Sequence, residues 1–137
     1  MTDWLVDTNV ISELIRPRPA GKVVAFLEQT TGLHLSVITL HEIAYGADRA
    51  PDPVRRAKLT AWLGQLAHNF ADRIIVVDAG IAERAGRLRA AADALGRPAD
   101  PLDALIAATA LERNLKVATR DINDFRGLGL ELHDPWH

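Results

Sequence analysis

The stretch WLVDTNVISELI, residues 4–15, decides the fold class, because an apolar run passes directly into a helical pattern. The run Trp4-Leu5-Val6 predicts a short strand, and residues 9–15 predict a helix that Pro17 ends. An acidic residue, Asp7, stands at the junction between the two. A strand that leads straight into a helix is typical of an α/β unit, so this stretch predicts the first strand of an α/β protein.

The same alternation continues along the rest of the chain. Further strands are predicted at residues 34–38, 74–77, 116–119 and 130–132, and further helices at 22–28, 39–47, 54–70, 79–95 and 101–113. Strands that alternate with helices predict a central, mostly parallel sheet flanked by helices, a three-layer α/β/α arrangement. The chain has 137 residues and neither a repeat nor a linker, so we expect a single domain over residues 1–137.

Composition excludes several classes of function. The chain has no cysteine, which excludes disulfides, thiolate metal sites and a cysteine nucleophile. A net charge of −2 argues against a simple electrostatic nucleic-acid binder, although bound divalent cations would reverse the sign of the local field. No apolar run is long enough to span a membrane and no signal sequence opens the chain, so we expect a cytoplasmic protein without membrane contact.

Four acidic residues fall directly after predicted strands or in the first turns of predicted helices. Asp7 directly follows the first strand and Asp121 follows the strand at 116–119. Glu42 falls in the first turn after the second strand, and Asp103 falls in the first turn of the helix that leads into the strand at 116–119. Because sites form beyond the carboxyl ends of parallel strands, we expect all four at one edge of the sheet.

Such a cluster needs a source of positive charge. Two like charges ~4 Å apart repel by roughly 4 kcal/mol at an effective dielectric constant of ~20. A hard divalent cation would relieve this repulsion, because it prefers carboxylate oxygen. Protonation of one acid is the alternative.

Each acid also has a purely local interpretation. Thr39 and Glu42 match a capping box, Asp100-Pro101 with Asp103 is a good helix start, and Asp7 or the segment 121–124 could form a cap or turn. The helix at 101–113 is apolar on nearly every side, which predicts that it is buried. A carboxylate near the start of a buried helix needs a partner, and this favours the cluster.

A group of arginines lies in or near the early loops and turns: Arg16, Arg18, Arg49, Arg55 and Arg56. They either follow a phosphate backbone or are solvated surface charges. Arg120 neighbours Asp121 and is either part of the pocket or a structural ion-pair partner.

Taken together, the motifs resemble those of the PIN-domain family. DTNVISE at residues 7–13 is similar to the opening motif of that family, and Ser36–Thr39 leading to Glu42 is similar to the second motif. Residues 103–110, then ATRD at 118–121 with Asp124-Phe125, resemble the later motifs. The likeness covers the whole chain and is strongest to the VapC toxins of bacterial toxin–antitoxin pairs, particularly the FitB-like branch.

This resemblance implies a PIN-like fold and a Mg²⁺- or Mn²⁺-dependent endoribonuclease that acts on structured RNA such as tRNA or rRNA. It implies a homodimer that a VapB- or FitA-like antitoxin neutralises, with operator DNA bound only through the antitoxin. Matched motif by motif, Asp7, Glu42, Asp103 and Asp121 take the catalytic and metal-binding acidic positions, and Asp124 takes a further metal position that varies in this branch. Thr8, Asn9 and Thr119 match polar positions that line or support the pocket.

Two other functions remain open at this point. A non-catalytic or weakly catalytic partner of a DNA-binding antitoxin would use the acidic pocket to receive an arginine from that antitoxin. A phosphotransfer domain would use Asp7 as the acceptor, but no lysine stands at a matching strand end. Metal-dependent cleavage of RNA by water activated at the acidic pocket would separate the ribonuclease from both.

Overall fold

The computed structural model describes residues 3–137, and within them five strands form one parallel sheet. The strands are β1 (Trp4–Val6), β2 (Leu33–Ser36), β3 (Ile74–Ile75), β4 (Lys116–Ala118) and β5 (Leu132–His133). Their order across the sheet is β3-β2-β1-β4-β5, and every neighbouring pair runs parallel. The predicted α/β class with a mostly parallel sheet is confirmed.

Helices connect the strands. They are α1 (Thr8–Ser12), α2 (Gly21–Gln29), α3 (Val37–Arg49), α4 (Pro53–Asn69), α5 (Ala79–Ala94), α6 (Pro101–Arg113) and α7 (Ile122–Phe125). A 3₁₀ turn, Glu13–Ile15, continues α1, so the predicted helix at 9–15 exists as two pieces. Aspartate side chains cap α4, α5 and α6 by accepting backbone amides, at Asp52, Asp78 and Asp100.

The two faces of the sheet are covered by different helices. Val6 belongs to a core cluster that includes Val23 of α2 and Leu66 of α4. Leu5, its neighbour in β1, belongs to a cluster that includes Ile106 of α6. Successive strand residues point to opposite faces, so α2 and α4 cover one face and α6, with α5 packed against it, covers the other. The predicted three-layer arrangement is confirmed.

The junction of β2 and α3 differs from the prediction. The strand ends at Ser36 and the helix begins at Val37, whereas the sequence placed the strand to Ile38 and the helix from Thr39. The Oγ of Ser36 accepts the backbone amide of Ile38 at 3.0 Å and caps the helix. Thr39 is therefore inside α3, and the capping box of Thr39 with Glu42, the local alternative for these residues, does not form.

Two strands near the sheet edges are shorter or shifted. The predicted strand at 74–77 contributes only Ile74–Ile75, half-buried beside β2. The predicted strand at 130–132 lies at Leu132–His133, because Leu132 pairs with Val117 of β4. Across residues 3–137, no helix is both long enough and apolar enough to cross a membrane.

Candidate active site

The acidic residues lie where the strand order of the sheet reverses. From β1 the chain proceeds outward to β2 and β3, and it then returns to the other side of β1 to form β4 and β5. In parallel α/β sheets this reversal leaves a crevice beyond the carboxyl ends of the two central strands. Asp7 follows β1 directly and Asp121 lies shortly after β4, so both stand at this crevice.

Asp7 is buried, with only 6 % of its surface exposed. Its Oδ1 accepts the backbone amide of Thr8 at 2.8 Å, and its Oδ2 accepts the hydroxyl of Thr119 at 2.8 Å. Burial raises the pKa of Asp7 to about 6, although these two hydrogen bonds lower it. Asp7 thus caps α1, as the local interpretation expected, and it also carries a charge that the protein interior disfavours.

Asp103 is half-buried in the first turn of α6. Asp100 caps this helix by accepting the amides of Leu102 and Asp103, so the Asp103 carboxylate is not needed as a cap. No hydrogen-bond donor within residues 3–137 contacts that carboxylate. Burial, as the largest cause, and the negative charges of acidic neighbours together raise the pKa of Asp103 to about 7. The neighbours are Asp7, Asp100, Asp124 and Glu42.

Glu42 is held by a chain of hydroxyls from α1 and α3. The hydroxyl of Thr8 donates to Oε1 of Glu42 at 2.8 Å and lies 3.0 Å from the hydroxyl of Thr39. Thr39 is fully buried, so its hydroxyl has a fixed place from which to donate to Thr8. The Glu42 side chain therefore points to the end of β1 instead of capping its own helix.

Asp121 is exposed and is oriented by Asn9. The Nδ2 of Asn9 donates to Oδ2 of Asp121 at 2.9 Å, while its Oδ1 accepts the backbone amide of Arg120 at 3.3 Å. The segment 121–124, for which a cap or a turn was an alternative, holds the short helix α7, and the Asp121 side chain does not cap it. The guanidinium of Arg120 lies 4.9 Å from the ring centroid of Trp136.

A cavity of about 670 Å³ opens beside this cluster. Four of the predicted acids line it: Glu42, Asp103, Asp121 and Asp124. Asp7 does not line the cavity, but its charge raises the pKa of Asp103, and the charges of Glu42 and Asp121 raise that of Asp7. The structure therefore brings all five predicted residues into one acidic region.

The donor chemistry of this region fits a hard divalent cation. Two of its carboxyls have raised pKa values, and within residues 3–137 none of the five acids pairs with a cationic side chain. The described side chains do not enclose a ready-made cage of three or more His, Asp or Glu ligands. Mg²⁺ does not require one, because it keeps several water ligands and commonly binds through one or two carboxylates.

The sequence did not reveal every residue of this region. Arg97 and Arg126 line the acidic cavity beside the carboxylates, and no spacing in the sequence links them to it. Thr39 was interpreted as a helix cap, yet it supports Glu42 through Thr8. The sequence signal that links Thr39 to Glu42 is a Thr followed three residues later by a Glu. The same pattern is typical of a capping box, so it did not indicate a role in the site.

Fold and site together define a three-layer parallel α/β protein with a carboxylate-lined cleft at the reversal of strand order. The PIN domain family model matches residues 4–129. The chain belongs to the PIN-domain family, as its motifs predicted.

Individual relatives agree with this assignment. The chain is 36 % identical over 136 residues to toxin FitB of Neisseria gonorrhoeae, covering 97 % of this chain and 98 % of that protein. It is 34 % identical over 135 residues to VapC ribonuclease Y4jK of Sinorhizobium fredii, covering 96 % of each. The solved structure of FitAB bound to an IR36 DNA fragment contains a chain that superposes with a TM-score of 0.89 at 34 % identity, covering 98 % of this chain and 96 % of that one.

Proposed function

We propose that this chain is a Mg²⁺- or Mn²⁺-dependent endoribonuclease and the toxin of a toxin–antitoxin pair. The observation that carries the proposal is the meeting of Asp7, Glu42, Asp103 and Asp121 at the reversal of strand order, where burial raises the pKa of two of them. Membership of the PIN-domain family and the likeness to VapC ribonuclease Y4jK support the same activity.

The five acids of the acidic region are the proposed metal ligands. We assign Asp7, Glu42, Asp103 and Asp121 to hold Mg²⁺ or Mn²⁺ directly or through water, with Asp124 as an additional ligand. When bound, the ion would offset phosphate charge and lower the pKa of a water molecule.

Three polar side chains keep the ligands in place. Thr119 orients Asp7, Thr8 orients Glu42 and Asn9 orients Asp121, each through one hydrogen bond.

In the reaction a water oxygen forms the new bond to phosphorus and the bond from phosphorus to the 3′-oxygen breaks. The products carry a 5′-phosphate and a 3′-hydroxyl, and no protein nucleophile is needed.

The proposed partner is a VapB- or FitA-like antitoxin that binds DNA. Support comes from the FitAB complex on DNA, whose chain of similar fold covers nearly the whole of this one. We further propose a homodimer that reaches operator DNA only through the antitoxin. The same acidic cavity would be the place where an antitoxin side chain blocks RNA.

The test is cleavage of labelled tRNA and rRNA by the purified chain with Mg²⁺, Mn²⁺ or EDTA, followed by sequencing of the RNA 5′ ends. We expect cleavage with either metal, none in EDTA, and fragments that begin with a 5′-phosphate. Asp103→Asn should abolish cleavage, whereas Asp93→Asn, an exposed carboxylate on α5, should not.

Cleavage that persists in EDTA or in Asp103→Asn would remove this mechanism. A chain that binds its antitoxin but cleaves no RNA would instead support the non-catalytic alternative. Asp7→Asn offers an independent check, because the isosteric amide should preserve the fold while removing a proposed ligand.

A further inference from the structure

A second cavity adjoins the acidic one and has the opposite charge. It has a volume of about 390 Å³, and α1, α3 and the start of α4 form its walls. Glu42 lines both cavities, so it marks the boundary between them. Beyond that boundary the charged lining residues are Arg16, Arg49 and Arg55.

Within residues 3–137, two of the three arginines in this second cavity form no ion pair. The Nη1 of Arg49 donates to the hydroxyl of Tyr45 at 2.6 Å, and its guanidinium lies 5.4 Å from the centroid of that ring, so its contacts leave the charge intact. Among residues 3–137, Arg55 forms no ion pair. Of the three arginines, Arg16 alone has an acidic partner in the part of the chain that the structure describes, Glu13 at 3.5 Å, and the Arg16 side chain is 62 % exposed.

Two arginines on α5 and α6 do form ion pairs. Arg84 contacts Glu112 and Arg113 contacts Asp78, each at 3.1 Å. Among the described residues that line the second cavity, Glu42 is the only acid, and one of its oxygens already accepts the hydroxyl of Thr8. A cleft lined by one sign of charge concentrates the field and attracts ligands of the opposite sign, so this cavity suits a polyanion.

We propose that Arg49 and Arg55, with Arg16 as a third contact, bind RNA phosphates that lie next to the phosphate to be cleaved. The inference rests on the proposed ribonuclease function, because it gives the substrate strand a path past Glu42 into the acidic cavity. Phosphate contacts fix the register of a strand without reading its bases. The subsite therefore adds affinity but little sequence preference.

Gly46 offers a way to change the cavity without removing an arginine. It lines the cavity on α3, and apart from its chain neighbours and the adjacent backbone of α3, no atom lies within 4 Å of the position that a Cβ would take. A side chain added there meets open space, and replacing a helical glycine does not weaken the helix. Gly46→Glu would stand one turn from Arg49 and compete with phosphate for it, whereas Gly46→Lys would add a positive charge.

The experiment measures binding of a labelled tRNA transcript and of polyuridylate in EDTA, across a series of salt concentrations, in the Asp103→Asn background. The double variant Arg49→Ala/Arg55→Ala should bind RNA more weakly. Its plot of log affinity against log salt should be less steep, with the magnitude of the negative slope reduced by about 0.7–0.9 for each arginine. The matched control, Arg87→Ala/Arg89→Ala, removes the same charge from α5 outside both cavities and should leave the slope unchanged. Gly46→Glu should weaken binding, Gly46→Lys should strengthen it, and Gly46→Gln separates added bulk from added charge.

Equal effects of the two arginine pairs would overturn the inference. So would loss of antitoxin binding with RNA binding unchanged, because the cavity would then serve the antitoxin. Cleavage by the wild-type chain is scored separately. If the wild-type chain cleaves RNA but the arginine variants bind RNA as well as their background does, the proposed subsite is refuted and the ribonuclease function is not. If the arginine variants bind RNA more weakly but the wild-type chain does not cleave it, only the proposed catalysis is refuted.

Discussion

The hydroxyl of Thr119 donates a hydrogen bond of 2.8 Å to Oδ2 of Asp7, although 112 positions separate the two residues. Thr119 follows β4 and Asp7 follows β1, so this bond spans the reversal of strand order. The same Thr119 oxygen accepts the backbone amide of Asp121 at 3.0 Å. One buried hydroxyl thus fixes the relative position of two proposed ligands.

Thr119→Val should lower both stability and cleavage. The loss of a buried donor and acceptor costs about 1–3 kcal/mol in the free energy of unfolding. Because the Thr119 bond lowers the pKa of Asp7, the variant should also shift the pH dependence of cleavage upwards. Urea unfolding and a pH–rate profile measure the two effects.

Two variants make this prediction specific. Thr119→Ser retains the hydroxyl and should restore the wild-type pH profile. Thr109→Val removes a buried hydroxyl whose one hydrogen bond among the described residues goes to the carbonyl of Leu105 within α6, so it should leave the profile unchanged. A Thr119→Val enzyme with the wild-type profile would show that Thr119 has only a structural role.

The position of the acidic cluster could be predicted because topology dictates it. Carboxyl ends of parallel strands meet at one edge, so Asp7 and Asp121 had to lie near each other once β1 and β4 were recognised. Burial of α6 was likewise evident from its apolar residues, and six of its residues are buried. These conclusions need only strand positions, which local hydrophobic patterns indicate.

The contacts that orient the acids could not be predicted in the same way. Val37 and Ile38 are β-branched and resemble the end of a strand, yet Ser36 caps a helix that begins at Val37. That shift moves Glu42 deeper into α3 and leaves Thr8, 34 positions away, as its partner. Such pairings depend on how α1 and α3 pack, and no local pattern contains that information.

Stability without metal should fall as pH rises from about 4 to 7. The pKa of Asp7 is raised from 3.8 to about 6 and that of Asp103 from 3.8 to about 7, so the folded state holds protons that the unfolded state has released. For buried Asp7 this difference corresponds to about 3 kcal/mol lost across the interval. Thermal unfolding in EDTA across this pH range measures the trend.

Asp7→Asn and Asp103→Asn should each flatten that dependence, whereas Asp93→Asn should not. Added Mg²⁺ or Mn²⁺ should stabilise the wild type increasingly as pH rises, because protons and cations compete for the same oxygens. A metal effect that is independent of pH, or equally large in the Asp7→Asn/Asp103→Asn double variant, would place the cation elsewhere.

Asn9→Ala should weaken metal binding more than it weakens the fold. The Asn9–Asp121 bond is exposed, so its loss costs little stability, but it leaves the Asp121 carboxylate free to rotate. Residues that orient metal ligands typically contribute 10–100-fold to affinity or activity. Titration with Mn²⁺ and cleavage at increasing Mn²⁺ should show this loss, with partial recovery of cleavage at high metal.

Asn123→Ala is the matched control for Asn9→Ala. Asn123 lines the acidic cavity, but within residues 3–137 its side chain makes no hydrogen bond. The variant should therefore bind Mn²⁺ as the wild type does. Equal losses in the two variants would mean that Asn9 does not act through Asp121.

Glu13 is a buried carboxylate outside the acidic cluster, and its role is predicted to be structural. Its Oε2 accepts the backbone amide of Ala20 at 2.8 Å, which ties the 3₁₀ turn to the start of α2 across the loop that holds Pro17 and Pro19. Glu13→Ala should lower the free energy of unfolding by about 1–3 kcal/mol, because that amide loses its partner. Glu13→Gln keeps an acceptor for Ala20 and loses only the ion pair with exposed Arg16, so urea unfolding should show a much smaller change. Equal losses in both variants would instead assign the stabilisation to the ion pair.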